Sequence, residues 1–126
     1  MATNKKYYFL KFKEDFFRDE TIILLEDIKD GFLFSNILLK MYLLSLKHEG
    51  QLLLSQGVAY TPQMIPTLTN HQVGTVGRAL QISMQLRLVE ELTDATLFMT
   101  NIQSLSGKSS TETERKQNER LKLKQN

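Results

Sequence analysis

The chain has 126 residues, the usual length of one domain, and its 41% hydrophobic and 24% charged residues exclude a mainly disordered protein. It contains no cysteine, which excludes disulfides and thiolate metal sites and fits a reducing compartment. Its net charge of +2 is too small to indicate nucleic-acid binding by itself.

Charge and hydropathy are unevenly distributed along the chain. Residues 107–126 carry six basic and three acidic side chains, so the basic excess belongs to this tail. Four charged side chains within residues 11–15 exclude a secretory signal near the N-terminus. The most apolar stretch, residues 32–46, is 15 residues long, whereas a membrane-spanning helix needs about 20. We therefore expect a cytoplasmic protein.

The first predicted elements are a strand and two helices. Side chains alternate over residues 7–13 in the pattern of a strand. Asp19 is a typical helix N-cap, and the apolar spacing after it predicts a short helix that ends near residues 30–31. A second helix is expected from residue 32 to about residue 47.

The second predicted helix is unusually apolar. Of residues 32–46, 11 are apolar, and the polar residues form only a narrow stripe. Such a helix has to be covered on nearly every side, either by the rest of this domain or by a second copy of the chain. We predict a homo-oligomer with Tyr8, Leu39 and Leu43 in its interface.

The middle of the chain predicts a hairpin and then two helices. Apolar runs at residues 52–54 and 58–60 favour a small extended segment or a hairpin. Thr61 and Pro62 are a helix start signal, and a short helix to about Leu68 has to accommodate Pro66 in its first turns. Asn70 is the next start signal, for a helix that extends to about residue 86. Residues 88–92 and 96–100, joined by a polar turn, predict a second hairpin.

The helix after Asn70 is predicted to be amphipathic. Its core face is expected to hold Val73, Val76, Leu80 and Met84, and its polar face Gln72, Thr75, Arg78 and Gln85. Gly74 and Gly77 lie in its interior, where glycine is unfavourable, so close packing against the preceding helix or close approach to another backbone is expected.

Helix, turn, helix and hairpin in this order are typical of a winged helix-turn-helix, whose second helix enters the major groove of DNA. We therefore predict an α+β, mostly helical fold with a winged helix-turn-helix, preceded by an added strand and helices. A protein-docking role stays open, because residues 61–100 contain two arginines against three acidic residues. The predicted DNA-binding residues are Asn70, His71, Gln72, Thr75, Arg78 and Gln85, with Arg115, Lys116 and Arg120 of the tail.

Two regions of the chain are predicted, a winged-helix domain over residues 1–105 and a polar, basic tail over residues 106–126. Residues 104–113 are rich in Ser and Thr, as linkers are. Residues 112–124 have helical spacing but no broad apolar face, so we expect this helix to be frayed or disordered.

Sites for metals, nucleotides and catalysis are not expected. His48 and His71 are the only histidines, and no carboxylate cluster at ligand spacing accompanies them. Gly107-Lys108-Ser109 resembles the end of a phosphate-binding loop, but the pattern needs glycine at position 102, where Ile102 stands. We find no nucleophile with an apparent base, and so predict a non-enzymatic protein without cofactor.

Several segments resemble the N-terminal domain of phage replisome organisers. The most specific is the aromatic-rich opening of residues 7–17, YYFLKFKEDFF, and residues 22–25, residues 38–46 with Lys47 and Gly50, and residues 60–61 add to it. That family is similar to bacterial primosomal initiators of the DnaD type, whose N-terminal winged-helix domain assembles into oligomers.

The resemblance implies a phage or prophage replication-initiation protein that binds double-stranded origin DNA in its bacterial host cell. It also implies contacts with host or phage replication proteins and a further C-terminal domain that helps to load the replicative helicase. Two alternatives remain, a winged-helix module of phage origin that docks on a host protein, and a transcription repressor.

Overall fold

The computed structural model describes residues 7–55 and 58–109. Over these ranges the chain is α+β and mostly helical, as predicted. The helices are α1 (Glu20–Asp27), α2 (Gly31–Ser45), α3 (Met64–Thr69), α4 (Val73–Gln85) and α5 (Ile102–Leu105). The strands are β1 (Tyr7–Leu10), β2 (Leu53–Ser55), β3 (Val58–Ala59), β4 (Val89–Glu91), β5 (Leu97–Met99) and β6 (Ser106–Ser109), which pair antiparallel as β1–β6, β2–β3 and β4–β5.

A tight corner joins α1 to α2. Asp19 caps α1 as predicted, since its Oδ1 accepts a hydrogen bond of 2.9 Å from the backbone N–H of Thr21. The helix ends earlier than predicted, because Ile28 is already extended, and the chain then turns through Asp30 in the left-handed conformation, with φ of 67°. Gly31 starts α2 directly, and a Cβ at this position would collide with the backbone of Glu26. The corner therefore requires glycine.

α2 forms the centre of the core and packs against α1, α3 and α4. Its apolar composition predicts this position, but the cover within one chain is incomplete, because Phe32, Leu33 and Leu43 are exposed. The large side chains that α2 buries are Phe34, Ile37, Leu38, Met41 and Tyr42.

The first and last described strands pair with each other. Tyr7 of β1 lies opposite Ser109 of β6, and Leu10 lies opposite Ser106. The prediction of a linker over residues 104–113 is therefore wrong for residues 104–109, which belong to α5 and β6. A strand pair is held by backbone hydrogen bonds, so composition alone did not reveal it. The predicted helix over residues 112–124 lies outside the described residues.

The order α3, turn, α4 and β4–β5 hairpin is the one that the sequence predicts. Pro66 is accommodated because it is the third residue of α3, where no intrahelical N–H bond is needed. Asn70 was predicted to start the next helix, but with φ of 60° it ends α3, and its N–H bonds to the carbonyl of Pro66. In the hairpin, Val89 lies opposite Met99.

The predicted hairpin in the middle of the chain is confirmed as β2 and β3. None of the helices in the described ranges is long and apolar enough to cross a membrane.

Candidate nucleic-acid interface

The inner face of α4 is made of small and medium-sized side chains. The prediction placed Val73 and Met84 in the core, but Val73 is 75% exposed and Met84 is exposed as well. Thr75 was predicted on the polar face and is instead only 8% exposed, so it cannot present its hydroxyl to a ligand. The prediction followed the large apolar residues, whereas the face that packs inward is Thr75, Val76, Ala79, Leu80 and Ser83.

The opposite side of α4, the outer face, has a bare centre. A Cβ added to Gly74 or Gly77 would meet nothing within 4 Å, so these glycines do not serve close packing against α3. Of the two predicted reasons for these glycines, close packing is therefore wrong, and close approach to another backbone stays a prediction. The outer face consists of Val73, Gly74, Gly77, Arg78, Gln81, Met84 and Gln85, all of them exposed.

Gln81 is a polar residue of the outer face that the sequence interpretation missed. It follows Gly77 by four positions and Arg78 by three, a spacing that places residues on one side of a helix. The helical spacing in the sequence therefore already places Gln81 on the same side of α4 as Gly77 and Arg78. Gln72, which was predicted, stands at the N-cap position of α4, is exposed, and its side chain makes no capping hydrogen bond.

A row of polar contacts, the polar seam, joins α2 to α3 and α4. From one contact to the next, the residue on the α2 side moves towards the N-terminus while the residue on the side of α3 and α4 moves towards the C-terminus. The two segments therefore run antiparallel. His71 and Arg78, both predicted to face DNA, belong to this seam. The contacts are Lys40 Nζ to the carbonyl of Thr69 (2.6 Å), Asn36 Oδ1 to His71 Nε2 (2.8 Å) and Asp30 Oδ2 to Arg78 Nη2 (2.9 Å).

Arg78 lies at the edge between the polar seam and the outer face. Besides the ion pair with Asp30, its guanidinium carbon lies 5.5 Å from the ring centre of Phe34, in cation–π geometry. The side chain is still 51% exposed. Arg78 can therefore contact a ligand while one of its nitrogens is bonded to Asp30.

The surroundings of His71 disfavour its charged form. Partial burial and then the nearby charge of Lys40 lower its pKa below the usual value of 6.5. Because an amide oxygen only accepts, the Nε2 of His71 donates the hydrogen bond to Asn36. The hydrogen bond of His71 thus ties the turn between α3 and α4 to α2.

The β4–β5 hairpin is acidic. Glu90 and Glu91 are exposed, and Asp94 stands in the turn. The backbone N–H of Thr96 donates to Asp94 Oδ1 at 3.0 Å and lowers the pKa of this carboxyl, so it stays ionised. Such a hairpin repels phosphate and is therefore poorly suited to contact a DNA backbone.

Comparison with known families decides what kind of protein carries this arrangement. The model of the N-terminal phage replisome organiser family matches residues 9–126. The chain belongs to this family. Its resemblance to phage replisome organisers is thereby confirmed, and its role lies in phage replication initiation. No curated protein and no solved structure matches the chain.

The residues predicted for the oligomer interface lie in different environments in this replisome organiser domain. Tyr8 and Leu43 line one shallow groove together with Leu54, and all three are exposed. Leu39 is half-buried and packs against the core. The structure therefore brings two of the three predicted residues together on an apolar surface.

The remaining predicted site residues lie near the two ends of α4 or in the tail. Asn70 is exposed beside the polar seam, and Gln85 ends the outer face. Arg115, Lys116 and Arg120 lie outside the described residues. Among the residues described, no group of three or more His, Cys, Asp or Glu side chains is placed to hold a metal ion.

Proposed function

We propose that this chain is the DNA-binding module of a phage or prophage replication-initiation protein, acting in the cytoplasm of the bacterial host. In this proposal α3, α4 and the β4–β5 hairpin form a winged helix-turn-helix, and α4 lies in the major groove of origin DNA. The observation that carries the proposal is the outer face of α4, which is exposed, polar at Gln81 and Gln85, and bare at its two glycines.

Three features of α4 suit a duplex. Its N-terminal turn contains no acidic residue, and no side chain caps it, so its free N–H groups can bind a phosphate. The two glycines let the helix backbone approach closely. Arg78 and the glutamines Gln72, Gln81 and Gln85 have the hydrogen-bonding groups that recognise base edges. Arginine can bind guanine through two hydrogen bonds.

One copy of the module supplies few phosphate contacts. Between Ala79 and Leu105, Arg87 is the only cation, and the hairpin is acidic. We infer that several copies act together on one origin, joined through the groove that Tyr8 and Leu43 line, with the predicted interface residue Leu39 on the same helix as Leu43. The basic tail with Arg115, Lys116 and Arg120 adds phosphate contacts that do not depend on sequence.

Protein docking is the second candidate function, and two observations favour it. Val73 exposes 75% of its surface at the start of α4, and the β4–β5 hairpin that follows α4 is negatively charged. A partner with an apolar anchor and basic residues, such as a replication protein of the host or phage, would fit both. A transcription repressor would bind DNA through the same outer face of α4, but at a DNA site other than the origin.

The deciding experiment is a binding titration of the purified chain with labelled duplexes from the origin of the phage that encodes it. Unrelated duplexes of the same length serve as competitors, and salt is varied from about 50 to about 200 mM. Preference for origin sequences supports the proposal. Absence of binding to any duplex at low salt contradicts it and favours protein docking.

The contribution of Arg78 is tested with a matched variant. Arg78→Ala should weaken origin binding by about 1–3 kcal/mol and leave non-specific binding largely unchanged. Arg87→Asn is the control, because it also removes one arginine and asparagine tolerates the φ of 61° at this position. An equal loss on all duplexes would make Arg78 a phosphate contact only.

A further inference from the structure

Asp30 occupies the N-cap position of α2 but does not cap the helix. An aspartate at this position normally bonds to the N–H groups of the first turn, and here no such bond forms. Its carboxylate instead pairs with Arg78, 48 positions further along the chain. The carboxylate is thus directed at the edge of the outer face of α4.

We propose that Asp30 is a specificity-determining positioning residue that orients Arg78 for contact with a base. This inference rests on the proposed DNA-binding function. Asp30 cannot drift from its place, because the left-handed turn and the glycine that follows it fix the corner between α1 and α2. Phe34, which is buried, presents its ring to the guanidinium from the same helix. Asp30 and Phe34 together form a cradle on α2.

The geometry leaves Arg78 free to bind while it is held. A guanidinium has five N–H donors in one plane, and the bond to Asp30 uses Nη2. An arginine whose rotamer is already restricted loses less freedom when it meets a guanine. Preorganisation of this kind favours the one geometry that a base edge requires, whereas a phosphate accepts many geometries.

The same contact has an opposite interpretation, in which the carboxylate of Asp30 competes with DNA for the guanidinium of Arg78. The exposure of the pair argues against it, because 51% of the Arg78 side chain and 31% of the Asp30 side chain remain exposed. An ion pair open to water is too weak to exclude a ligand. The ion pair is strong enough to favour one rotamer of Arg78, which the ring of Phe34 already supports.

The test compares Asp30→Gly, which removes the carboxylate and suits the left-handed turn, with Asp30→Asn, which keeps its size. Asp27→Asn is the matched control, because it removes an exposed carboxylate from the same corner. Positioning predicts that the ratio of origin to non-specific affinity falls about two- to fivefold in Asp30→Gly, the range that a surface ion pair supports. Asp27→Asn should keep the ratio. Asp30→Asn should fall between them, because the amide oxygen can still accept.

A second measurement on the full chain without DNA reports the cradle itself. In the wild type, the ¹⁵N resonances of the Arg78 guanidinium should show restricted rotation, and this restriction should be lost in Asp30→Gly. A rise in origin affinity would make Asp30 a competitor and overturn the proposal, as would an unchanged ratio. If the wild type binds no duplex, the proposed function fails and the role of Asp30 in specificity fails with it. If the wild type binds and the ratio survives Asp30→Gly, the failure concerns Asp30 alone.

Discussion

Burial changes the pKa of single residues in this domain more than neighbouring charges do. Tyr42 is the clearest case, since it is 1% exposed in the centre of the core. Burial raises the pKa of its hydroxyl to about 12, against a small opposing effect of the hydrogen bond with Asn101. The hydroxyl is therefore neutral in the folded protein over the whole physiological range.

The raised pKa of Tyr42 predicts a loss of stability in alkali. A group with a higher pKa in the folded state stabilises the fold below its unfolded pKa of 10.0, and this contribution disappears as the pH rises through the folded value. From about pH 9 to about pH 12, the free energy of unfolding should fall by about 2 kcal/mol more in the wild type than in Tyr42→Phe. Urea denaturation at several pH values measures this difference.

The comparison of the wild type with Tyr42→Phe removes the contribution of the lysines and the other tyrosines, because those groups are the same in both proteins. Parallel curves for the wild type and Tyr42→Phe would contradict the prediction.

The order of the elements could be predicted from the sequence, because it depends on local signals. Asp19 as a cap and the alternation of apolar residues act over a few positions, and they correctly predicted α1, α2, α3, α4 and both short hairpins. The β1–β6 pair and the contact between Asp30 and Arg78 join residues far apart in the chain. No local pattern indicates them.

The two faces of α4 could be predicted only in part. Val76 and Leu80 are buried as their spacing indicates. Thr75 and Ser83 are buried too, because small side chains let α4 pack closely, and a search for large apolar residues overlooks them. The exposed side of the helix is therefore the one that carries Gly74, Gly77 and Gln81, and not the predicted one. Thr75 is buried and so does not belong to the candidate site.

The outer face of α4 predicts opposite effects of one substitution on stability and binding. Gly77→Ala should stabilise the domain by about 0.5–1 kcal/mol, because alanine is the better helix former and its Cβ meets nothing. The same methyl group should weaken duplex binding if the helix backbone approaches DNA at this point. Thermal unfolding and anisotropy titration measure the two effects.

Ile23→Ala in α1 serves as the control for helix propensity, since Ile23 is exposed on a different helix. It should leave duplex affinity unchanged. A Gly77→Ala protein that is more stable and binds equally well would show that the bare part of α4 is not in contact with DNA.

The whole molecule leaves an apolar surface uncovered, and this predicts its assembly. Leu43 is 54% exposed beside Tyr8, so a carboxylate there is tolerated by the fold of one chain. In an interface the same carboxylate would be taken out of water, at a cost of several kcal/mol that Lys47 in the same groove offsets only in part. If the chain assembles through this groove as proposed, Leu43→Asp should therefore give a folded monomer, as measured by sedimentation velocity and circular dichroism.

Phe32→Asp is the control, because Phe32 is 76% exposed near the other end of α2. It should leave the sedimentation coefficient unchanged. A wild type that stays monomeric at high concentration, or a Leu43→Asp protein of unchanged mass, would contradict the proposed interface.

The basic tail should add affinity for DNA without adding specificity. The cut that tests this has to follow Ser109, because residues 106–109 form the strand that pairs with β1, and a cut before Lys108 would disturb the domain. Residues 110–126 hold five basic and three acidic side chains. Their removal should lower affinity for every duplex alike, because phosphate contacts carry no sequence information, and the ratio of origin to non-specific affinity should survive.

The salt dependence of binding measures how many phosphates the tail neutralises. Each phosphate that the shortened chain no longer neutralises should reduce the slope of log affinity against log salt by about 0.9, so a change of two or three is visible in a simple titration. The outer face of α4 makes the opposite prediction, since Arg78→Ala should change the ratio more than the slope. A shortened chain with unchanged affinity and slope would remove the tail from the mechanism and leave it the role of a solubilising or connecting segment. The two variants together therefore separate the part of the molecule that recognises sequence from the part that binds the phosphate backbone.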